Sequence, residues 1–287
     1  MKYLLIILLV LAVICIISLI AGAKWIKIRN YYVASDKLNN TSTVTRIVFI
    51  TDLHEKSFGY KNQKLIEKID QLDPDAIFIG GDTVDSYSKV GGDYIPLFEE
   101  LPKLAKTFLV LGNHEYSAKR DMEIIGYAQS FGIRVLEDEF EPFTCNSDTI
   151  NVIGMTDYFS ENVVTKTLAE RFDAVPVPYY AQRFNILLCH RPCELEEMSK
   201  RGIDLMVCGH THGGQMRIPF VGGVFTPGSH KRFPKYDMGY FGIGKMDLII
   251  SSGLGTSAIP LRLFCRPEIT VIDLQGKLPY QAKKKKQ

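Results

Sequence analysis

Five of the six histidines in this 287-residue chain stand at the ends of short apolar runs. Asp52-Leu53-His54 follows one run, Gly81-Asp82-Thr83-Val84-Asp85 a second, and Gly112-Asn113-His114-Glu115 a third. His190 closes a fourth run and Gly209-His210-Thr211-His212 a fifth. Singly, each piece has an ordinary reading, since Asp-x-His is most often a surface turn and Gly-Asp is common turn chemistry. Together they offer carboxylate, amide and imidazole donors at the edge of one sheet, where α/β proteins place their sites. Oxygen and imidazole donors without thiolates suit Mn²⁺, Fe or Zn²⁺. The count is enough for two ions sharing a bridging carboxylate, and the adjacent glycines let the backbone turn sharply. The six cysteines form no spacing of a zinc or redox motif and read as small buried hydrophobes.

The runs themselves are Ile47–Ile50, Ala76–Ile79, Thr107–Leu111, Asn185–Cys189 and Asp204–Cys208, short and apolar enough to be strands buried on both faces. Between the first of them, residues 62–72 place Leu65, Ile66, Ile69 and Leu72 at helical spacing. Strand–helix alternation implies an α/β architecture. Asp247–Ser252 and Ile269–Leu274 read as further strands without long helices between them, which implies a second sheet packed on the first.

Ahead of this body, Leu4–Ala23 is a run of twenty uncharged residues. At about 1.5 Å each they reach roughly 30 Å, the thickness of a bilayer core. Ala21-Gly22-Ala23 resembles a cleavage site, but the run exceeds the roughly 7–15 residues of a signal peptide's apolar region. The reading is a retained single-pass anchor, with basic residues after the span placing the body on the cytoplasmic face. The net charge of +2 conceals an uneven distribution: four basic groups in residues 1–29 and four in Lys283–Lys286 leave −6 on residues 30–282. An acidic body argues against nucleic acid as a specific partner. The organisation expected is an anchor and basic flank over 1–29, a polar linker over 30–42, one domain over 43–275 and a basic tail over 276–287 suited to anionic lipid.

The ordered set Asp-x-His, Gly-Asp-x-x-Asp, Gly-Asn-His-Glu, His and Gly-His-x-His resembles the calcineurin-like metallophosphoesterase superfamily, whose fold is a sandwich of two mixed β-sheets flanked by helices. The resemblance covers residues 46–212 by motif. It implies one metal held by Asp52, His54, Asp82 and His212, and another by Asp82, Asn113, His190 and His210, with Asp82 bridging. It casts His114 as the residue that hydrogen-bonds the substrate phosphate and protonates the leaving group, and Asp85 as the carboxylate that accepts a ligand histidine's other N–H. The implied activity is phosphoester hydrolysis by metal-activated water.

Branches of the superfamily narrow the substrate. The purple acid phosphatases carry a tyrosine where Asp85 stands. The nucleases add a DNA-capping region for which this chain has little room. Gly209–Gln215 followed by Pro219, and Pro260–Glu268, resemble a bacterial membrane-associated subgroup of phosphodiesterases, some acting on UDP-2,3-diacylglucosamine in lipid A synthesis. The leading expectation is therefore a membrane-anchored hydrolase of phosphodiester or pyrophosphate bonds in a lipid- or nucleotide-linked substrate. A phosphomonoesterase and a non-catalytic scaffold are the alternatives. Residues 219–245 are the expected substrate rim, with Lys231, Arg232 and Tyr240 as contacts, and Arg262 as a bidentate phosphate clamp. Residues 157–184 are a candidate lid.

Overall fold

The computed structural model describes residues 1–86, 94–157, 166–178, 180–224, 226, 233–256 and 259–277. Helix α1 (Lys2–Lys24) is followed after two residues by strand β1 (Lys27–Ser35) and then by β2 (Thr45–Ile50). The next segment alternates as the apolar runs require: α2 (Gln63–Asp70), β3 (Ala76–Ile79), α3 (Tyr94–Leu104), β4 (Lys106–Leu109), α4 (Asn113–Ser117), α5 (Asp121–Ser130) and β5 (Arg134–Val135). The second half holds β6 (Glu139–Cys145), β7 (Asp148–Met155), α6 (Leu168–Phe172), β8 (Phe184–Cys189), α7 (Leu195–Ser199) and β9 (Leu205–Cys208). It closes with a short hairpin of β10 (Arg217–Ile218) and β11 (Gly222–Gly223), then β12 (Gly239–Ile243), β13 (Met246–Ile250) and β14 (Glu268–Gly276).

Two mixed six-stranded sheets result. The first has the order β1-β14-β2-β3-β4-β5 and the second β12-β13-β9-β8-β7-β6. Strands β2 to β5 run parallel, as do β7, β8, β9 and β13, while β14 is antiparallel to β2. Phe49, Phe78, Phe108, Val152, Ile186 and Val207 interdigitate between the sheets. Helices α2, α3 and α5 cover the outer face of the first sheet through Leu65, Ile69, Leu97, Phe98 and Ile124. Helices α6 and α7 cover the second through Leu168, Phe172 and Met198. Every strand of the central parallel runs is buried on both faces, which is why each reads as continuous rather than alternating hydrophobicity.

The expected linker is part of the fold. Lys27–Ser35 pairs in parallel with β14 along its whole length, from Lys27 opposite Glu268 to Ser35 opposite Gly276. Its inward Val33 joins the core between the sheets, and Arg29 Nε donates to Glu268 at 2.7 Å. Beyond it, the backbone amides of Asn39 and Asn40 donate to the Asp148 carboxylate at 2.7 and 3.2 Å. The first half of the expected linker, residues 30–35, belongs to this edge strand, and the polar residues 39–43 form the turn that follows it. The folded unit thus starts at residue 27 rather than 43. The candidate lid is likewise corrected where it is described, because α6 buries Leu168, Ala169 and Phe172 against the second sheet. Of the basic tail, Lys277 is bonded to Asp36; the lysines beyond it lie outside the described residues.

Candidate metal centre

The histidines and acids converge at the carboxyl ends of the parallel strands. They come from both sheets rather than from one: β2, β3 and β4 of the first sheet supply Asp52, His54, Asp82, Asn113 and His114, and β8 and β9 of the second supply His190, His210 and His212. Packing two sheets face to face brings these ends to a common rim, which no periodicity within either half announces. The turns are made by the ligands themselves. Asp52, His54, Asp82, His210 and His212 all have φ between 47 and 66°, a left-handed conformation uncommon for residues with a side chain. Glycine does its work beside them: a Cβ on Gly112 would lie 2.9 Å from Asp82 Cγ, so only glycine lets that loop close on the carboxylate.

Three groups of ligand atoms lie close enough to hold an ion: Asp52, His54 and His212; His54, Asp82 and His114; and Asp82, His190 and His210. Asp82 Oδ2 is 3.1 Å from His190 Nε2 and 3.7 Å from His54 Nε2, so one carboxylate faces a histidine of each flanking group. His54 Nε2 and His212 Nε2 are 3.2 Å apart, and His190 Nε2 is 3.2 Å from His210 Nδ1. Nitrogens at that separation each reach one ion at about 2.1 Å with roughly 100° between the bonds, as tetrahedral or octahedral coordination needs. His190 Nδ1–H donates to the Gly80 carbonyl at 2.8 Å, which leaves Nε2 as its donor atom for a cation. The Asn113 side-chain oxygen is buried without a hydrogen-bond partner. A buried amide oxygen left so is costly unless a cation or a water takes its lone pair. The residues present therefore fit the metal pair that the sequence implied.

The electrostatics agree. Burial drives His54 down to about 3, and burial first and then neighbouring cations push His210 and His212 well below their ordinary value. These rings are neutral and offer lone pairs. Burial raises Asp52 to about 6, with His190 opposing and Asp82 adding to the rise. For His190, burial pulls downward but the charge and hydrogen bond of Asp82 outweigh it and hold the ring up at about 10. Burial also opposes ionisation of Asp82, but the surrounding histidines hold it well below the usual carboxylate range. A proton on His190 balances Asp82, the place a divalent cation takes when the site is loaded.

His114 lies at the start of α4. Its backbone N–H donates to Asp82 Oδ1 at 2.8 Å, and its Nδ1 accepts from the Ser86 amide at 3.0 Å. Asp85 Oδ1 lies 3.3 Å from that same Nδ1, so Asp85 stands behind His114 rather than behind a metal ligand. Glu115 was quoted in the sequence motif without a role, and the structure supplies one. Its fully buried carboxylate accepts from the amides of Asp82 (2.9 Å), Thr83 (2.6 Å) and Gly112 (2.8 Å) and from the Thr83 hydroxyl (2.7 Å). One side chain thus binds the Asp82 loop to the Asn113 loop. The only signal in the sequence was an acid following a ligand run into a helix, where charge is favoured by the free N–H groups.

The expected substrate contacts fare differently. Arg262 is 1% exposed. Its guanidinium is spent on the carbonyls of Gly255 and Ser252, both at 2.7 Å, and Nη2 lies 3.4 Å from His212 Nδ1. It braces the loop behind the ligands and has no donor directed at solvent, so the phosphate clamp is not supported. Tyr240 lies on β12 opposite Ile249, and its hydroxyl is engaged by Asp247 at the start of β13. Lys231 and Arg232 lie outside the described residues.

The match to known proteins follows this geometry. The family model for calcineurin-like phosphoesterases matches residues 45–214, the stretch that carries every ligand. The chain belongs to that family and is a metal-dependent phosphoesterase. It is 31% identical over 263 residues to YpbG of Bacillus subtilis, covering 89% of this chain and 90% of that one. It is 31% identical over 235 residues to phosphodiesterase YaeI of Escherichia coli, covering 80% and 82%. A transmembrane protein with a metallophosphoesterase domain from Danio rerio is 27% identical, covering 93% of this chain and 62% of its own length.

Proposed function

We propose that this protein is a membrane-anchored hydrolase that cleaves a phosphodiester or pyrophosphate bond at a two-metal centre. The observation that supports the reading most directly is the position of Asp82 Oδ2 between His190 and His54, as a ligand shared by two adjacent sites requires. Asp52, His54, Asp82 and His212 would hold one ion; Asp82, Asn113, His190 and His210 would hold the other. Bound there, two divalent cations supply Lewis-acid polarisation of the phosphoryl oxygens and a water acidic enough to serve as nucleophile near neutral pH. The chain's own residues do the rest. With Nδ1 accepting from the Ser86 amide, Nε2 is the His114 nitrogen that carries a proton and donates to the phosphate or leaving oxygen. The Ser86 amide holds that ring through Nδ1, Glu115 fixes the loops that carry Asp82 and Asn113, and Arg262 supports His212 from behind.

Helix α1 is the one described helix long and apolar enough to cross a membrane, and nearly all of its side chains face outward. With a relative named a transmembrane protein, this supports the anchor. The name of the YaeI relative favours a diester over a monoester. An amphiphilic, nucleotide-linked diester of the UDP-2,3-diacylglucosamine kind combines these features. The test is a rate comparison on the full chain loaded with Mn²⁺, Zn²⁺ or Fe²⁺. Bis-p-nitrophenyl phosphate and UDP-2,3-diacylglucosamine should be cleaved faster than p-nitrophenyl phosphate. Preference for the monoester overturns the diester assignment, and undiminished hydrolysis by Asp82→Asn overturns the shared ligand.

A further inference from the structure

Six of the exposed large apolar side chains beyond α1 belong to the β10–β11 hairpin and the segments beside it, the others being scattered over the surface. Ile218, Phe220 and Val221 cap the β10–β11 hairpin, Leu261 lies on the loop before β14, and Phe233 and Trp25 flank them. Phe220 is fully exposed at the tip. It follows Pro219 in a turn closed by a Val221 N–H to Ile218 carbonyl bond of 3.0 Å, and its φ is +66°. That position in a turn suits glycine or asparagine. Phe233 and Phe264, at φ of 56 and 53°, repeat the anomaly, and they are the only other described phenylalanines with positive φ. Phe264 is half-buried, but Phe220 and Phe233 are bulky aromatics on strained backbone that face water and need a compensating environment.

The hairpin is rigidly built. Arg217 Nη1 donates to Asp237 Oδ2 at 2.7 Å and to the Gly213 carbonyl at 2.6 Å, and the Gly223 amide donates to the same Asp237 oxygen. It is continuous with the loop of Leu261, since the Arg217 amide donates to the Leu263 carbonyl at 2.9 Å. That loop docks on α1: the Phe264 amide donates to Ser18 Oγ at 2.6 Å. Ser18 lies six residues before Lys24, about 9 Å back along the helix axis. A loop beside Ser18 therefore sits deeper than the helix end, within the roughly 5–10 Å reached by interfacial segments. At the shallower level stand Lys24, Lys27, Trp25 and Arg266, the last donating to the Trp25 carbonyl at 2.9 Å. Cations and an indole above apolar tips are the arrangement an anionic bilayer surface recognises.

We propose that the β10–β11 hairpin and the 259–264 loop form a wedge that enters the same leaflet as the carboxyl end of α1, with the basic cluster against anionic phospholipid. This rests on α1 being an anchor. The wedge is tied through Gly213 to the loop of His212, so the metal centre is held at the membrane surface. It would accept a phosphoester presented by that surface.

The test reads depth in full-length protein reconstituted in vesicles of phosphatidylcholine and phosphatidylglycerol containing brominated lipid. Trp25 is the chain's one tryptophan and reports on the anchor. In a Trp25→Phe background, Phe220→Trp reports on the wedge and Thr144→Trp, at the far end of the second sheet, serves as reference. The expected result is strong quenching of Trp25 and of Phe220→Trp, with Thr144→Trp unquenched. Quenched Trp25 with unquenched Phe220→Trp overturns the wedge and leaves the anchor standing. Equal quenching of Phe220→Trp and Thr144→Trp also overturns it. Unquenched Trp25 overturns the anchor and the wedge with it.

Discussion

Replacing Glu115 by Gln tests whether one carboxylate organises the metal loops. The substitution keeps shape and volume but changes one acceptor oxygen into an NH₂ donor. Glu115 Oε2 accepts the Asp82 and Gly112 amides, and Oε1 accepts the Thr83 amide and hydroxyl and, at 3.4 Å, the Val84 amide. The less damaging rotamer turns the NH₂ toward Thr83, whose hydroxyl can rotate and accept. The Thr83 N–H is then left buried without an acceptor, at a cost of about 1–3 kcal/mol, the long Val84 contact is lost with it, and the two bonds on the other oxygen each lose about 1 kcal/mol as they become neutral. The sum is about 3–5 kcal/mol, enough to weaken but not abolish folding in a domain of ordinary stability. At about 2–4 °C per kcal/mol for a chain of this size, the melting temperature should fall by roughly 10 °C. Because the Asp82 loop moves with it, metal affinity or kcat/KM should drop about 10–100-fold. Calorimetry on metal-loaded protein and a diester assay measure both. A melting temperature within about 2 °C of wild type, with wild-type activity, would refute the argument that Glu115 holds the loops.

His114→Gln should lower kcat by roughly 10²–10⁴ while metal content, measured by elemental analysis, stays at the wild-type level; loss of metal would make His114 a ligand. Since Asp82 holds His190 protonated up to about 10, that proton must leave on loading. Metal affinity should therefore rise about tenfold per pH unit from neutrality toward that value, read by competition with a chromophoric chelator. The same raised pKa favours the folded, chelated protein below 6.5 and ceases to do so as pH passes through about 10. Chelated protein should accordingly melt earlier as pH rises over that window, and a flat profile would argue against the His190–Asp82 pairing. Gly22→Val should cost about 1–3 kcal/mol by overpacking, since even a Cβ there would come within 2.8 Å of Arg262 Cβ. The change should appear as a lower melting temperature and weaker metal binding through the Arg262–His212 contact, and an unaltered protein would show that the helix end does not pack there.

Where both faces of a strand are buried, composition alone reveals it, and β3 spans Ala76–Ile79 as its apolar run does. The candidate ligand positions stood out for a related reason: charged and imidazole groups placed directly after such runs have no role in the core that precedes them. Lys27–Ser35 was illegible because KIRNYYVAS does not alternate cleanly: half-buried Arg29, paired with Glu268, shares the inner face with Val33, while Ile28 and Tyr32 are exposed. Arg262 was misread for the opposite reason. Arginine beside a glycine-rich turn suits phosphate and backbone carbonyls equally, and only tertiary packing shows that the carbonyls have taken it. The joining of two sheets into one site is a long-range fact, carried by how Phe49 and Val207 pack and not by any local pattern.

The short connection between α1 and β1 constrains how such an enzyme meets its substrate. A flexible stalk of the thirteen residues 30–42 would let the domain wander about 20 Å from its attachment. Here Trp25 and Ile26 alone separate helix from sheet, and Ile26 is itself in the core. With α1 in a bilayer as proposed, the catalytic rim would have one working height and one tilt, and its search would be lateral diffusion in two dimensions. A substrate whose scissile phosphorus lies at another height would then be excluded by reach, however well its chemistry matches.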